Sequence, residues 1–352
     1  MSHALQLAKR GQYTCDPNPC VGCVITKENK ILSEGWHAVA GESHAEINAI
    51  NAVDNVADTT VYVTLEPCSH HGKTPPCVDA LIKAGVSEVI IAMLDPNPEV
   101  AGSGIKQLEA AGIVVRQGLL EEQAKQLNPG FIKRMTQNRP YLRCKMAIST
   151  DGRTALANGV SQWISSAESR QDVHKLRAAS SAIMSSAETI VKDNASLNPR
   201  NVTFEFKQPV RVIIDRELKI PVEARLFSIP GKIIIYTQAE DEAAINNIRS
   251  LGAELVILDE SEDCLLDVLA HLAEVFEIND IMLEAGASLS GKLLEIGMVD
   301  ELIIYVAPKL MGQYARPMFN LPEFEALEQI IQAEPVDIRQ FGKDIRLTYK
   351  LH

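Results

Sequence analysis

Thr60-Val61-Tyr62-Val63-Thr64-Leu65-Glu66-Pro67-Cys68 runs into Ser69-His70-His71-Gly72-Lys73-Thr74-Pro75-Pro76-Cys77, and the reading of these residues decides the fold. Thr60 to Leu65 has the composition of a strand, and Cys68 follows it closely. Pro75 and Pro76 fit a first turn, and Val78, Leu81 and Ile82 recur at helical spacing, so a helix over 77–84 begins at the second cysteine. Cys77 then lies near a helix N-terminus, where the dipole favours a thiolate. Upstream, His44-Ala45-Glu46 stands at the start of another helix through Ile47 and Ile50. One imidazole nitrogen from His44 and thiolates from Cys68 and Cys77 suit Zn2+, and three protein ligands leave a coordination position open for water. That open position separates a catalytic zinc from a structural one. Glu46 is two residues from His44 and can face the same cavity, so it is the expected proton shuttle from water to a departing ammonia.

H-x-E followed by P-C-x-x-C is the signature of zinc nucleobase deaminases. The first half matches at His44-Ala45-Glu46, and the second departs from it, because residues 69–76 separate the two cysteines. The insert is polar, turn-forming and positively charged at Lys73, as a substrate loop would be. His70 and His71 are alternative metal ligands, although loop histidines more often meet substrate or solvent. An ordinary buried histidine beside two core cysteines is the competing reading, and four matching positions in chain order weigh against it.

Residues 67–77, with Asn18-Pro19-Cys20-Val21-Gly22-Cys23 and Asp95-Pro96-Asn97-Pro98, closely resemble the bifunctional riboflavin-biosynthesis deaminase/reductase family of bacteria, and the likeness covers nearly the whole chain. It implies an α/β protein of two domains: an amino-terminal cytidine-deaminase-like α/β/α layered domain and a carboxy-terminal dihydrofolate-reductase-like α/β domain. It implies hydrolysis of the 2-amino group of a diamino-ribosylamino-pyrimidinone phosphate in the first, and NADPH-dependent reduction of the ribosyl unit to ribityl in the second. Asn18, His70 and Lys73 would meet the pyrimidine substrate.

A chain of 352 residues is long for one core, and 46% apolar content is enough to bury two. No charged-then-apolar leader opens the sequence and no run approaches the roughly 18 apolar residues of a membrane span, so a cytoplasmic protein is expected. Seven cysteines, an odd number, argue for reduced thiols rather than a disulfide framework. A net charge of −12 without a cluster of Lys and Arg argues against nucleic acid. The expected partner is a small pyrimidine ribosyl phosphate, with neither nucleic acid nor membrane, and the expected state is a homo-oligomer.

Residues 1 to about 127 alternate strand-like and helix-like runs: Val21 to Thr26, Ile31 to Trp36, the helix after His44, Thr60 to Leu65, the helix at Cys77, Glu88 to Leu94, a helix through Leu108, and Ile113 to Arg116. Such alternation predicts a layered α/β domain. Leu127 to Pro140 combines turn residues with charge, which puts a boundary near residue 139 and gives domains 1–138 and 139–352. Beyond it, strands are expected at Tyr141 to Ala147, Val210 to Ile214, Lys232 to Tyr236, Leu255 to Leu258, Ile281 to Glu284 and Leu302 to Val306. Helical patterns separate most of them, as in a doubly covered sheet.

Gly286-Ala287-Ser288-Leu289-Ser290-Gly291-Lys292 follows the last buried strand but one and reads as a tight turn opening a helix, whose free amides bind phosphate. The spacing is nearly that of a P-loop, but Leu293 stands where a magnesium-ligating Ser or Thr belongs, which argues against an NTPase. Taken alone, the segment is equally well a strand-to-helix turn with no ligand. In the resembling family these seven residues hold the dinucleotide phosphates and Glu284 faces substrate. Lys145-Met146-Ala147-Ile148-Ser149-Thr150-Asp151-Gly152-Arg153 and Ser161-Gln162-Trp163 also match that family, as do Arg177, Thr189, Asp193, Leu197 and Arg200. The match implies that Ala147, Trp163, Thr189 and Asp193 meet NADPH, and that Lys145, Ser161, Arg177, Leu197 and Arg200 meet substrate. Arg177 and Arg200 suit a phosphate ester, Trp163 offers a flat face to a ring, and Asp193 could orient or protonate the opened sugar.

Two positions depart from the family pattern. Asn194-Ala195 replaces a more usual Asp-Pro, and Arg216 stands where Ser is common near the cofactor. Arg216 either pairs with the 2′-phosphate of NADPH or points to water. Cys20-Val21-Gly22-Cys23 has redox or metal spacing, yet alternation through Val21, Cys23 and Ile25 fits a core strand. Cys144 and Cys264 lie in apolar runs as packing residues. Two other functions stay open on sequence alone: a zinc deaminase of a nucleoside or tRNA with a regulatory second domain, and a binding module stapled by structural zinc.

Overall fold

The computed structural model describes residues 1–70, 75–98, 100–259 and 264–351. Two compact units divide the chain: Met1–Arg139 with Glu205–Lys207, and Pro140–Phe204 with Gln208–His352.

The first unit contains, in order, α1 (Ser2–Ala8), β1 (Gly22–Lys27), β2 (Lys30–Trp36), α2 (Ala45–Asn51), β3 (Thr60–Val63), α3 (Cys77–Ala84), β4 (Glu88–Ile91), α4 (Ser103–Ala110), β5 (Val114–Gln117), α5 (Glu121–Leu127) and α6 (Pro129–Gln137). The sheet runs β2-β1-β3-β4-β5; β1 is antiparallel to both neighbours, and β3, β4 and β5 are parallel. Alternate residues Cys23, Ile25, Val61, Val63, Val89 and Ile91 enter one core with Ala49 of α2 and Leu81 of α3. Val24 and Tyr62 face the other way, against Ala4 and Leu7 of α1. Helices therefore cover both faces, as the layered pattern requires. Each fully buried Val, Leu or Ile contributes about 1.5–3 kcal/mol, which holds helices of seven or eight residues that would be marginal alone. A Cβ at Gly35 of β2 would strike the Ala45 carbonyl and the Ala49 amide. Glycine there lets α2 lie close on the sheet and sets where its N-terminus, His44, stands.

The stretch Leu127 to Pro140 is more ordered than its turn residues suggest. Pro129 occupies the first turn of α6, where a missing N–H costs nothing, Phe131 and Ile132 pack on the core, and Asn138 ends the helix at φ 49°.

The second unit contains β6 (Tyr141–Ser149), β7 (Arg153–Ala155), α7 (Ala167–Ala178), β8 (Ala182–Ser186), α8 (Ala187–Asp193), β9 (Val210–Ile214), β10 (Ile233–Thr237), α9 (Glu242–Ser250), β11 (Glu254–Ile257), α10 (Cys264–Glu274), β12 (Asp280–Leu283), α11 (Ala287–Glu295), β13 (Glu301–Ala307), β14 (Arg316–Pro317), β15 (Ala333–Phe341) and β16 (Asp344–Leu351). Its main sheet runs β11-β10-β9-β8-β12-β6-β13-β16-β15. It is parallel from β11 to β13 and antiparallel across β16 and β15. Val212, Ile234 and Leu283 enter a core under α10 and α11. Their neighbours Ile183, Ile213 and Ile235 enter a second core with Ile190 of α8 and Ile248 of α9. The sheet is thus doubly covered over its parallel part only. At one edge it ends in the β15–β16 hairpin, whose outer strand is mostly exposed.

Candidate active sites

In the first unit, His44 ends the loop before α2, Cys68 follows β3, and Cys77 is the first residue of α3. His44 Nδ1 lies 3.2 Å from Cys77 Sγ and 3.5 Å from Cys68 Sγ, and the three donor atoms fall within 4.8 Å of one another. Zinc bonds of about 2.0–2.3 Å in a tetrahedron place donors roughly 3.5 Å apart, so these residues fit a zinc ion. Among the described residues no fourth His, Cys or carboxylate joins the group.

Glu46, 3% exposed, is hydrogen-bonded to Cys77, and burial raises its carboxyl to about 7. The Cys77 thiol, with help from His44 and the Cys77 amide, pulls Cys68 down to about 4, and the same hydrogen bond, with burial, raises Cys77. Cys68 Sγ accepts that amide, the first of α3, at 3.3 Å.

Asn18 donates through Nδ2 to His37 Nε2 at 3.0 Å, while His37 Nδ1 donates to the Ser43 carbonyl at 3.2 Å. The His37 ring meets His44 edge-on, 5.3 Å between centroids. His37 and Glu66 are site residues that no motif flagged. The Glu66 carboxylate, 4% exposed, accepts the Gly104 and Ile105 amides at 3.0 and 3.4 Å and the Asp95 and Gly102 amides at 3.2 and 2.9 Å. It caps α4 from a distance and ties the Asp95 loop to the segment that carries Cys68. His70 is exposed and lies close enough to act on the charge of Asp95. Lys73 and His71 lie outside the described residues. Cys20 and Cys23 do not pair: Cys23 packs in the core, and Cys20 Sγ lies 3.2 Å from Cys15 Sγ.

The second site is a cavity of about 900 Å³ where β8 and β12 give way to α8 and α11. Lys145, Ala147, Ser161, Trp163, Thr189 and Asp193 line it, and Arg177, Leu197, Arg200 and Glu284 join them. Its walls carry seven Lys and Arg side chains against three carboxylates, an excess that suits anionic ligands in a chain of net charge −12. Gly286, Ala287 and Ser288 also line it. No heavy atom lies within 4 Å of the position a Gly286 Cβ would take, and no side chain caps α11 there. Unclaimed first-turn amides beside an open glycine fit a dinucleotide phosphate.

The rest of the glycine-rich segment does not reach the cavity. Leu289 packs on the core, Ser290 is fully buried, and Lys292 pairs with Glu295 at 3.0 Å. Gly291 is required by packing, because a Cβ would overlap the Asn320 carbonyl. Arg177 also departs from expectation. Glu284 accepts its Nε at 2.5 Å and Nη2 at 2.8 Å, and the Asn198 carbonyl accepts Nη1 at 3.2 Å, so its fork is not open to a phosphate. Lys145 Nζ stands 3.7 Å from the same carboxylate. Burial works to raise Glu284, and Arg177 and Lys145 override it and hold the carboxyl at about 2. Burial, then Arg177 and Arg200, hold the His174 ring at about 4, so it is neutral. Arg170 covers one face of the exposed Trp163 ring at 4.4 Å. Arg216 is exposed, does not line the cavity and donates to Cys264 Sγ at 3.1 Å. Asp151 accepts the Met311 and Gly312 amides, which makes it a loop anchor.

A layered α/β unit bearing a His-Cys-Cys metal group, joined to a doubly covered sheet with a cationic cleft, defines a zinc deaminase fused to a dinucleotide-dependent reductase. Residues 140–347 match the RibD C-terminal domain, and residues 1–93 match the cytidine and deoxycytidylate deaminase zinc-binding region. The riboflavin biosynthesis protein RibD of Escherichia coli is 44% identical over 360 residues, covering 99% of this chain and 97% of that protein. That of Haemophilus influenzae is 44% identical over 362 residues, covering 99% and 96%. Among solved structures, Acinetobacter baumannii RibD, form 2, superposes with a TM-score of 0.93 at 41% identity, covering 100% of this chain and 97% of that one. The Thermotoga maritima diaminohydroxyphosphoribosylaminopyrimidine deaminase/5-amino-6-(5-phosphoribosylamino)uracil reductase does so at 0.88 and 32%, with coverage of 100% and 97%.

The chain belongs to the RibD family of riboflavin biosynthesis proteins. It is a bifunctional enzyme of that pathway, a zinc-dependent deaminase joined to an NADPH-dependent reductase. Similarity runs through both halves, which disfavours a lone deaminase with a regulatory second domain. Among the described residues no helix is long and apolar enough to cross a membrane.

Proposed function

We propose that residues 1–138 hydrolyse the 2-amino group of 2,5-diamino-6-ribosylamino-4(3H)-pyrimidinone 5′-phosphate. Residues 139–352 then reduce the ribosyl group to ribityl, giving 5-amino-6-ribitylaminouracil 5′-phosphate. The observation that carries this reading is the three-ligand group of His44, Cys68 and Cys77 beside a buried Glu46. Zinc held there would supply a Lewis acid and lower the pKa of a water molecule toward neutrality. Glu46, poised at about 7, takes a proton from the attacking water and returns it to the leaving ammonia. His37 occupies the amide nitrogen of Asn18, which leaves the Asn18 oxygen to accept from the pyrimidine edge. His70 and Lys73, from the insert between Cys68 and Cys77, meet the rest of the substrate.

In the second site NADPH would supply the hydride. The amides that open α11 at Gly286, Ala287 and Ser288 hold its phosphates, and Ala147, Trp163 and Thr189 shape the space around it. Glu284, fixed by Arg177 and Lys145, presents a rigid acceptor to the sugar hydroxyls, with Ser161 and Leu197 against the same ligand and Arg200 on its phosphate. Asp193, whose carboxyl burial raises, is placed to hand a proton to the opening sugar. The enzyme is proposed to be cytoplasmic and homo-oligomeric, states that fractionation and light scattering would check. Incubating the protein with the pyrimidinone phosphate tests the chemistry. Mass spectrometry should find an amino group exchanged for oxygen without NADPH, and two further hydrogens with it. An unchanged substrate in both arms would refute the reading.

A further inference from the structure

Arg177 cannot serve as an open phosphate fork, because Glu284 and Asn198 already hold its donors. Arg200 differs. Its backbone amide is tied to His174 Nδ1 at 3.3 Å, and among the described residues no carboxylate lies within 4 Å of its guanidinium. Arg225 lines the same cavity; burial, then Arg177 and Arg225, weaken the hold of Arg200 on its proton, and Glu284 opposes them. It too has no carboxylate within 4 Å among the described residues.

The fold keeps this second arginine in place. α8 ends at Asn194 in a left-handed turn, φ 46°, a conformation Asn tolerates well, and Asn194 Oδ1 accepts the Arg225 amide at 2.8 Å. Ala224 and Leu226, on either side of Arg225, are buried in the core that also holds Leu197. Two guanidinium groups that line one cavity, neither ion-paired among the described residues, repel, and an anion between them relieves the repulsion. A phosphate monoester matches that demand, since each guanidinium offers paired donors to its oxygens. The cofactor phosphates are the competing anion. The neighbours of Arg225 share a core with Leu197, and α8 supplies Thr189 and Asp193 to the same cavity, so NADPH affinity distinguishes the two anions.

We propose that Arg225, positioned by Asn194, pairs with Arg200 to bind the 5′-phosphate of the substrate and thereby selects phosphorylated over dephosphorylated pyrimidine in the reductase step. This rests on the proposed substrate carrying its phosphate into the second site. The test measures steady-state reduction of the deaminated substrate with and without its phosphate, and NADPH affinity by fluorescence titration, in wild type, Arg225→Gln and Arg225→Lys. Arg225→Gln should raise KM for the phosphorylated substrate by roughly tenfold, the loss of one charge-assisted contact, with kcat within about twofold. KM without the phosphate and NADPH affinity should not move, and Arg225→Lys should recover part of the loss. Equal changes for both substrates would make Arg225 a structural residue, a weaker NADPH affinity would give it to the cofactor, and no change would remove it from the site. Each result overturns the inference. A wild type that does not distinguish the two substrates would instead refute phosphate recognition in the second site altogether.

Discussion

Glu284 holds the Arg177 guanidinium through both of its oxygens, at 2.5 and 2.8 Å, at the end of a buried strand. Lys145 shares the carboxylate, so one acid neutralises two largely buried cations. Glu284→Ala should destabilise the second unit by about 3–5 kcal/mol, because it strands both charges away from water. Urea unfolding followed by a probe in that unit would measure it. Arg177→Met combined with Glu284→Ala should be milder than the single change. A loss below about 1 kcal/mol for the single variant would mean the pair is solvated.

Acid should loosen the same region in two stages. His174 is held neutral, its pKa at about 4 below the ordinary 6.5, so the unfolded chain binds its proton first and stability falls as pH drops from about 6.5 to 4. Glu284, at about 2 against 4.5, adds a second loss between about 4.5 and 2. Urea midpoints across pH should show a shallower decline in the upper window for His174→Asn. Superimposable profiles would show that His174 titrates alike in both states.

Glu46→Gln should keep the metal while slowing deamination by at least about 100-fold, since it removes the proton carrier but no ligand. Zinc content by atomic absorption should match wild type, and reduction of substrate that is already deaminated should proceed normally. A near-normal deamination rate would assign the proton transfer elsewhere.

Glu66 touches no ligand, yet four amides converge on it two residues before Cys68. Glu66→Ala should cost on the order of 3 kcal/mol by leaving buried N–H groups unpaired. Zinc should then be lost to a chelator faster than from wild type. Unchanged zinc retention would limit Glu66 to capping α4.

Much of this was legible in the sequence where spacing carries the signal. α3 begins at Cys77 as Pro75, Pro76, Val78 and Leu81 require, and β9 spans Val210–Ile214 as its apolar run does. β8 escaped notice because Ala182-Ile183-Met184-Ser185-Ser186 is small and polar at its end; only tertiary pairing shows it to be a central strand, with Ser185 donating to the Glu284 carbonyl at 2.6 Å. The limits of the glycine-rich segment were equally hidden. Gly286 and Gly291 look alike in sequence, and one opens the cavity while the other yields to the Asn320 backbone. His37, Glu66 and Arg225 act through partners distant in the chain, which no local pattern encodes.

Deamination in the first unit depends on a metal group with three protein ligands and one place for solvent. X-ray absorption at the zinc edge of the active, zinc-loaded protein examines it directly. The spectrum should show a four-coordinate shell of two sulfurs, one imidazole nitrogen and one light atom from solvent, lost along with deamination when His44 is replaced by Ala. A fourth donor from the protein, or full deaminase activity without zinc, would contradict it.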